Sequence, residues 1–311
     1  MLPSPVAVTG LGILSPMGIG RHATAEALDG GRANIGPPTV FDAALYSVQR
    51  AGEVPGFVPK ALLETPKTYL DRCSALTLAA CYLAVRDAGL QWLESLPERR
   101  SLSHGTAFGC LDSMMAFTSR IQAAGAKSAS PIVFSHSFIN TPASLAAIEY
   151  SVRGPAPTFA SGDLAGAEAI IYGAHLVGSG TVDFCLAGGA EALSEPLYAA
   201  LDDAGRLAAG LTPSEASVML VLEPLEAALA RGAGIVAVLT GAALAGSLSQ
   251  ALTAAGAENV QPWVAPLDWG HAFGAEFPLR VATAIIAGTE RAAVGISTQL
   301  GGAAVVLEAY K

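Results

Sequence analysis

Strands and helices alternate twice along this chain, and the pattern predicts a layered α/β fold with internal duplication. A buried apolar strand ending in a glycine turn opens the chain at residues 6–14, and a second such strand restarts the pattern at residues 235–239. The composition agrees, with 34 glycines and only 6% aromatic residues, because small side chains let helices pack closely against sheets. A chain of 311 residues also has ample core for one large domain or two fused halves.

Short apolar runs and longer helical periods place the remaining elements in order. In the first half they predict helices at 23–28, 76–90, 142–152 and 164–177, and strands at 106–110, 182–186 and 217–222. In the second half they predict helices at 247–255 and 275–286 and strands at 293–297 and 303–307. The helix at 76–90 is apolar nearly all the way round, which indicates burial on several sides. No residue-level repeat is visible, so the duplication rests on periodicity.

Charge and polarity exclude two kinds of partner. The net charge of −9 disfavours a nucleic acid, whose phosphates would be repelled. Residues 232–257 carry no charge, yet serines, threonines and glycines interrupt them, so a buried strand followed by an amphipathic helix is expected rather than a membrane span. The N-terminal stretch lacks a basic region and a cleavage site, and we expect a cytoplasmic protein.

The cysteines indicate buried thiols rather than a metal site. Four are present, at Cys73, Cys81, Cys110 and Cys185, without any CxxC pairing. Three lie within apolar runs, as expected of free thiols in a reducing compartment. We expect no metal and no cofactor.

Several segments, in the same order along the chain, resemble the FabF-like ketosynthases, the β-ketoacyl-acyl-carrier-protein synthase family. They are Val-Ala-Val-Thr-Gly-Leu-Gly-Ile-Leu-Ser-Pro-Met-Gly at 6–18, Phe-Asp at 41–42, Ala-Gly-Glu-Val-Pro-Gly-Phe at 51–57, Leu-Asp-Arg at 70–72, Asp-Ala-Gly-Leu at 87–90, Ala-Gly-Gly-Ala-Glu at 187–191, Met-Leu-Val-Leu-Glu at 219–223, Gly-His at 270–271 and Gly-Gly at 301–302. The resemblance implies a thiolase-like five-layered αβαβα fold, dimer formation and two pseudo-repeated halves. These halves would span residues 1–230 and 231–311, the second one shortened.

The chain departs from the family where the chemistry lies. Residues 154–170 resemble the strand-to-helix turn that carries the acyl-accepting cysteine, but Asp163 stands at that position. The lysine position is Pro266, and the first catalytic histidine has no counterpart in the shortened segment 257–263. His271 matches the second histidine and is retained. The segment that lines the acyl pocket has become Ile-Ser-Thr-Gln-Leu-Gly-Gly at 296–302.

These losses predict a site that does not condense acyl chains. A carboxylate cannot hold a thioester, and removing members of a catalytic unit leaves little rate enhancement. Asp163 precedes a predicted helix and is expected to cap it, contributing about 1 kcal/mol. We expect His271 to be structural, and we expect Glu276 and Arg280 to form an ordinary surface pair at i,i+4. The other histidines, His22, His104, His136 and His175, match no ligand spacing and are expected at the surface or as satisfied core residues.

Two segments are implied at a subunit interface by the same resemblance. Residues 131–140 would bound the far end of a partner's acyl tunnel, with Val133, Phe134 and Phe138 shaping it. The strand Thr158-Phe159-Ala160 would run antiparallel to its counterpart. The basic cluster that docks the carrier protein is reduced to Lys67 within residues 64–69, so we expect the carrier protein to visit the partner instead.

Three functional hypotheses remain at this point. The leading one is a non-catalytic, chain-length-factor-like subunit that pairs with an active ketosynthase in type II polyketide, aryl-polyene or fatty-acid-like biosynthesis. The alternative is an independent hydrolase or acyltransferase that reuses Ser161, Asp163 and His271, although the flanking residues are not a Gly-x-Ser-x-Gly elbow. A third is a homodimeric scaffold that binds acyl chains without chemistry.

Overall fold

The computed structural model describes residues 2–63, 67, 69–257 and 260–310, and it confirms the layered α/β fold. The strands within these ranges are β1 (Val6–Ser15), β2 (Gly18–Ile19), β3 (Ile35–Gly36), β4 (Ala51–Gly52), β5 (Arg100–Gly105), β6 (Thr158–Phe159), β7 (Phe184–Glu191), β8 (Ala216–Pro224), β9 (Ala237–Ala245), β10 (Arg291–Thr298) and β11 (Gly301–Glu308). The helices are α1 (Gly20–Gly30), α2 (Arg72–Asp87), α3 (Leu111–Ala124), α4 (Pro131–Ser135), α5 (Thr141–Glu149), α6 (Ala165–Gly178), α7 (Glu195–Asp203), α8 (Leu225–Ala230), α9 (Leu248–Ala254) and α10 (Glu276–Ile286).

Nine of the strands form one mixed sheet. Its order is β10-β11-β9-β1-β8-β7-β5-β6, with β2 added to one end of β1. Strand β5 is parallel to β6 and β7, whereas the neighbours from β7 to β10 along the sheet are antiparallel. Only three residue pairs, from Val6–Leu239 to Val8–Ala237, join β1 to β9. The sheet therefore consists of two parts connected at one short seam.

The two parts repeat the same topology, which confirms the predicted duplication. In the first part, β7, β8 and β1 are neighbours in that order, and α6 precedes β7 along the chain. In the second part, β10, β11 and β9 have the same order, and α10 precedes β10. The first part continues beyond β7 to β5 and β6, whereas the second ends at β10 in the described residues. The second half is thus the shorter one.

Helices and sheet parts alternate in five layers. Helix α2 packs on β1, β7 and β8 and carries α5 on its side. Helices α6 and α10 lie between the two parts of the sheet, and α9 covers β9 and β11 from outside. The largest apolar cluster surrounds α6 and α10, as expected of a layer buried on both faces.

One predicted strand was placed wrongly, and four helices, α3, α4, α7 and α8, were not predicted. Residues 106–110 form the turn after β5 rather than a strand, because the strand itself occupies Arg100–Gly105. That strand is fully buried despite its polar sequence Arg-Ser-Leu-Ser-His-Gly. Helix α3 follows the turn directly and carries exposed methionines that the sequence reading did not assign.

Two buried glutamates link the elements of the first half. Glu215 is fully buried, and its carboxylate accepts hydrogen bonds from Arg72 Nε at 2.7 Å and Nη2 at 2.6 Å. Glu223, also fully buried, is held in the same way by Arg231 Nε at 2.8 Å and Nη2 at 2.6 Å. Each pair satisfies a carboxylate that would otherwise be costly inside the protein.

Within the described part of the chain, no helix is long and apolar enough to span a membrane.

Candidate functional site

Asp163 and His271 lie side by side where the two halves meet. Asp163 belongs to a single 3₁₀ turn, Gly162–Leu164, directly before α6, and His271 lies two residues before a 3₁₀ turn, Phe273–Ala275, that leads into α10. The distance from His271 Nε2 to Asp163 Oδ2 is 3.2 Å, and both side chains are about one third exposed, at 30% and 36%. The carboxylate of Asp163 is therefore one partner of an ion pair between the two turns.

The pairing changes the protonation of His271. Burial opposes the charged imidazolium, but the hydrogen bond and the charge of Asp163, together with the charge of Glu276, outweigh it and raise the pKa of His271. Arg280 acts in the opposite direction. The imidazole ring also stacks edge-on against Phe273, with ring centroids 4.7 Å apart. The raised pKa favours the imidazolium form of His271 beside the carboxylate, which is not an arrangement that activates a nucleophile.

The predicted capping role of Asp163 is wrong. The N-cap of α6 is Leu164, without a side-chain hydrogen bond, and the preceding 3₁₀ turn is likewise uncapped. The carboxylate points across to His271 instead, because the 3₁₀ turn shifts the start of the helix two residues beyond Asp163. A contact between residues so distant in sequence leaves no local signal.

The expected surface pair of Glu276 and Arg280 is only partly correct. Arg280 Nε does donate to Glu276 Oε1 at 2.8 Å, but the glutamate is 4% exposed. Its second oxygen accepts from Trp269 Nε1 at 3.3 Å and from the backbone N–H of Ala272 at 3.1 Å. Glu276 is therefore a buried acceptor that organises the turn carrying His271.

Ser161 is not arranged as a hydrolytic nucleophile. Its hydroxyl donates a short hydrogen bond to Glu168, so its proton is directed to a carboxylate on α6. His271 uses its Nε2 for Asp163, and among the hydrogen bonds of the described residues none joins His271 to Ser161. A serine nucleophile needs a histidine base within hydrogen-bond reach.

The two turns are repeats of one another at the residue level, which corrects the expectation that no such repeat exists. Residues 161–168 read Ser-Gly-Asp-Leu-Ala-Gly-Ala-Glu, and residues 269–276 read Trp-Gly-His-Ala-Phe-Gly-Ala-Glu. Four positions are identical, and Asp163 aligns with His271. Gly162 and Gly270 both have positive φ, 63° and 83°, a conformation that favours glycine. In each copy the closing glutamate accepts a hydrogen bond from the residue at the opening position.

Glu191, at the end of β7, fixes the surroundings of this pair. Its buried carboxylate accepts from the backbone N–H groups of Ala107 (2.7 Å), Phe108 (3.1 Å) and Gly274 (3.2 Å), and from the hydroxyl of Thr106 (3.1 Å). Burial raises the pKa of Glu191 to about 7, although all four donors favour the carboxylate. These bonds turn residues 106–110 away from the strand geometry that we expected.

An aromatic contact extends from the ion pair toward the surface. The ring of Phe108, held by its backbone bond to Glu191, stacks edge-on against Phe273 at 5.2 Å. Phe273 has a positive φ of 45°, which is uncommon for a residue with a Cβ. The space beside Asp163 and His271 is therefore partly filled by two large rings.

The first of the segments implied at an interface, residues 131–140, is largely exposed on this chain. Phe134 and Phe138 are each 47% exposed, stack on one another at 4.8 Å, and continue to Phe117 of α3 at 5.2 Å. We call the exposed apolar set the aromatic patch, which comprises Met114, Met115, Ile132, Phe134, Phe138 and Ile139. Val133 is half-buried beneath it. Exposed apolar side chains in this number indicate a surface that a protein partner covers.

Strand β6 presents an open edge of the sheet. The carbonyl oxygens of Pro155, Pro157 and Phe159 accept from β5 and the turn after it, so Thr158 and Ala160 direct their backbone groups outward. The hydroxyl of Thr158 is buried without a partner in the described structure. An edge of this kind accepts another strand.

Three further expectations concern Pro266, the shortened segment 257–263 and the carrier-protein docking segment 64–69. Pro266 is exposed in the segment between Trp263 and Gly270. In the shortened segment 257–263, residues 258 and 259 lie outside the described residues, as do 64–66 and 68 in the expected docking segment. Lys67 is described, and its Nζ lies 2.6 Å from Glu149 Oε2, so its charge is already paired.

The histidines and cysteines otherwise form no site. His22 is exposed beside Glu26, while His104 is fully buried with Nδ1 unpartnered, so it is not the satisfied core residue that we expected. His136 also has a buried Nδ1 without a partner. All four cysteines are buried and free. In the ranges that the structure describes, no group of three or more potential ligands is placed to hold a metal ion.

Comparison with known proteins adds a family and a fold. The family model for the β-ketoacyl synthase N-terminal domain matches residues 3–228. A protein of Streptomyces halstedii described as polyketide β-ketoacyl synthase 1 is 30% identical over 299 residues, covering 87% of this chain and 71% of its own length. The tetracenomycin polyketide synthase ketoacyl synthase alpha subunit of Streptomyces glaucescens is 28% identical over 254 residues, covering 73% of this chain and 59% of its own length.

Among solved structures, the ishigamide ketosynthase/chain length factor superimposes with a TM-score of 0.87 at 23% identity, covering 99% of this chain and 100% of the matched chain. At this identity the match identifies the fold alone. The thiolase-like architecture expected from the sequence is thereby confirmed. The chain spans between about three fifths and seven tenths of the length of the two relatives.

Proposed function

This chain belongs to the β-ketoacyl synthase family, and from that premise we propose that it is a non-catalytic subunit, similar to a chain-length factor. It would form a heterodimer with an active ketosynthase and shape the acyl tunnel of that partner. The pathway would be a type II polyketide, aryl-polyene or fatty-acid-like synthesis. Within the chain, the family-like halves would span residues 1–230 and 231–311.

One observation carries the non-catalytic part of the proposal. The carboxylate at the nucleophile position, Asp163, forms an ion pair at 3.2 Å with His271, the one family histidine that the chain retains. Both groups are thereby occupied with each other, and a carboxylate forms no stable thioester. The Phe108–Phe273 contact further reduces the space in which an acyl group would lie.

Two surface features support the proposal that this chain binds an active ketosynthase. The open edge of β6 would pair with the equivalent edge of an active ketosynthase, and the aromatic patch would be covered in the same contact. Phe134 and Phe138 would then face the end of the partner's acyl tunnel. Covering this much exposed apolar surface would stabilise both subunits.

The carrier protein would dock on the partner. Lys67, the remaining cation of the expected docking segment, is already paired with Glu149. The net charge of −9 further disfavours an acidic carrier protein on this chain.

Affinity capture from the cells that make this chain, followed by native mass spectrometry, tests the proposal. We expect a one-to-one complex with a ketosynthase that carries a cysteine at the nucleophile position. The isolated chain should be supplied with malonyl-loaded carrier protein and acyl-loaded carrier protein. It should release no carbon dioxide and form no β-ketoacyl product. A stable homodimer that excludes such a ketosynthase, or condensing turnover by the isolated chain, would refute it.

A further inference from the structure

The contact between the two turns is closely packed at the backbone. A Cβ on Gly166, in the first turn of α6, would clash with the carbonyl oxygen of Gly274, so no side chain separates the backbones there. The backbone of His271 is fixed independently, because its N–H donates to Thr212 at 2.8 Å and its carbonyl accepts from Ser214 at 2.9 Å. The side chains of Asp163 and His271 are thus presented from two firmly held turns.

We propose that protonated His271 clasps Asp163 and so holds the two repeat-equivalent turns together, and that loss of this proton loosens the contact between the halves. The clasp belongs to this chain by itself and does not depend on the proposed function. It places a proton-controlled link where the family has a nucleophile and its histidine.

The charges around His271 define the direction of the effect. Asp163 faces it from the turn before α6, and Glu276 and Arg280 face it from α10, where they are paired with each other at 2.8 Å. The segment of residues 212–214 contacts His271 through its backbone and contains no ionisable side chain. Phe108 and Phe273 contribute only rings.

The sign of the pH dependence follows from the raised pKa of His271. The folded chain binds the proton on His271 more tightly than the unfolded chain does. The ion pair therefore stabilises the fold fully below the ordinary histidine pKa of about 6.5. It is lost as the pH rises through the higher value of the folded protein. Because the pair is about one third exposed, salt weakens it as well.

The test is a nuclear magnetic resonance titration of the histidine rings in the full chain, from pH 5 to pH 9. The chain has five histidines, and His271→Gln assigns the relevant signal. We expect His271 to titrate above the ordinary value in the wild type and to fall toward or below that value in Asp163→Asn. A wild-type value at or below about 6.5 would overturn the proposal without any variant having to fold.

Hydrogen exchange of the backbone amides in residues 162–166 and 272–275 measures the clasp itself. After correction for intrinsic rates, protection in the wild type should be several-fold higher at pH 6 than at pH 8.5. His271→Gln should abolish that difference. The matched control is His22→Gln, since His22 lies 3.4 Å from Glu26 in a largely exposed i,i+4 pair and its loss should leave the profile unchanged.

The repeat provides a sharper variant. Because Asp163 and His271 occupy equivalent positions, the double variant Asp163→His/His271→Asp places the same pair in the opposite order. It should regain the pH-dependent protection that each single substitution removes. Protection that is equal at both pH values in the wild type, or a swapped pair that behaves like the single variants, would refute the clasp.

Discussion

The carboxylate of Glu191 accepts a hydrogen bond from the backbone N–H of Gly274 across 3.2 Å, which ties the end of β7 to the turn that carries Phe273. Three more donors, from Thr106, Ala107 and Phe108, converge on the same carboxylate. One buried acidic group therefore holds the turn before α3 and the turn before α10 in a fixed relation.

Replacing Glu191 with glutamine should destabilise the protein strongly. The amide NH₂ would face backbone N–H groups that now donate to a carboxylate oxygen, leaving at least one buried donor unpaired at a cost of about 1–3 kcal/mol. Urea denaturation at pH 8 measures the loss. Glu226→Gln, an exposed glutamate on α8, is the control and should change the midpoint little. Equal midpoints for the two variants would contradict this role of Glu191.

Arg72→Met should destabilise the chain by about 3 kcal/mol, because it leaves the fully buried carboxylate of Glu215 without its cation. The comparison variant is Arg21→Met, which breaks the more exposed pair with Asp87 and should cost less than about 1 kcal/mol. Thermal or denaturant unfolding of both variants decides the matter. Similar losses would mean that Glu215 finds another partner.

His104 should make the protein sensitive to acid. Burial lowers the pKa of His104 to about 4, so folding requires the neutral ring. The unfolded chain takes up the proton first as the pH falls below about 6.5, and stability drops by up to about 3 kcal/mol before the folded ring also titrates near pH 4. His104→Gln should reduce the slope of stability against pH between 6.5 and 4, whereas His22→Gln should keep it. An unchanged slope in His104→Gln would show that the buried ring is not the cause.

Thr158→Pro tests the edge of β6. The Thr158 N–H points away from β5, so a proline costs the fold little and removes a donor that an added strand would use. We expect unchanged unfolding of the isolated chain and at least a tenfold weaker complex with the proposed ketosynthase partner, measured by sedimentation. Undiminished affinity would place the interface elsewhere on the surface.

Phe138→Ala tests the tunnel. Because this ring is about half exposed, its loss should affect the isolated chain by less than a buried phenylalanine would, which is about 3–5 kcal/mol. In the reconstituted complex we expect longer products, since a large side chain at the tunnel end is removed. The readout is the mass of the products. The control variant is Ile148→Ala, which removes an exposed apolar side chain on α5. Identical product distributions would remove Phe138 from that role.

The sequence predicts the layered fold because apolar periodicity survives in most elements. Several helices were missed, and β5 is an instructive exception among the strands, because its arginine, serines and histidine gave no apolar signal. Burial there is made possible by distant partners, such as the Pro155 carbonyl that accepts from Ser101, and by the carbonyl oxygens around Arg100. Such compensation depends on the tertiary structure and is invisible in a window of the sequence.

The sequence identified residues of the candidate site but not the contacts between them. The motif around residues 154–170 located Asp163, yet its partner depends on how two halves approach each other. The repeat of Gly-x-x-x-Gly-Ala-Glu at 162–168 and 270–276 was a usable signal that periodicity analysis passed over. Aligning those two segments would have placed Asp163 and His271 in equivalent turns.

The position of β1 in the sheet has a consequence for synthesis of the chain. Apart from the two-residue β2 at one end, its neighbours are β8 and β9, so Val6 pairs with Pro224 and Leu239. At a ribosomal rate of about 5–20 residues per second, this apolar strand waits roughly 10–45 seconds before its partners are made. During that interval the nascent chain exposes an unpaired hydrophobic segment, and chaperones that bind such segments are expected to determine the yield of folded protein.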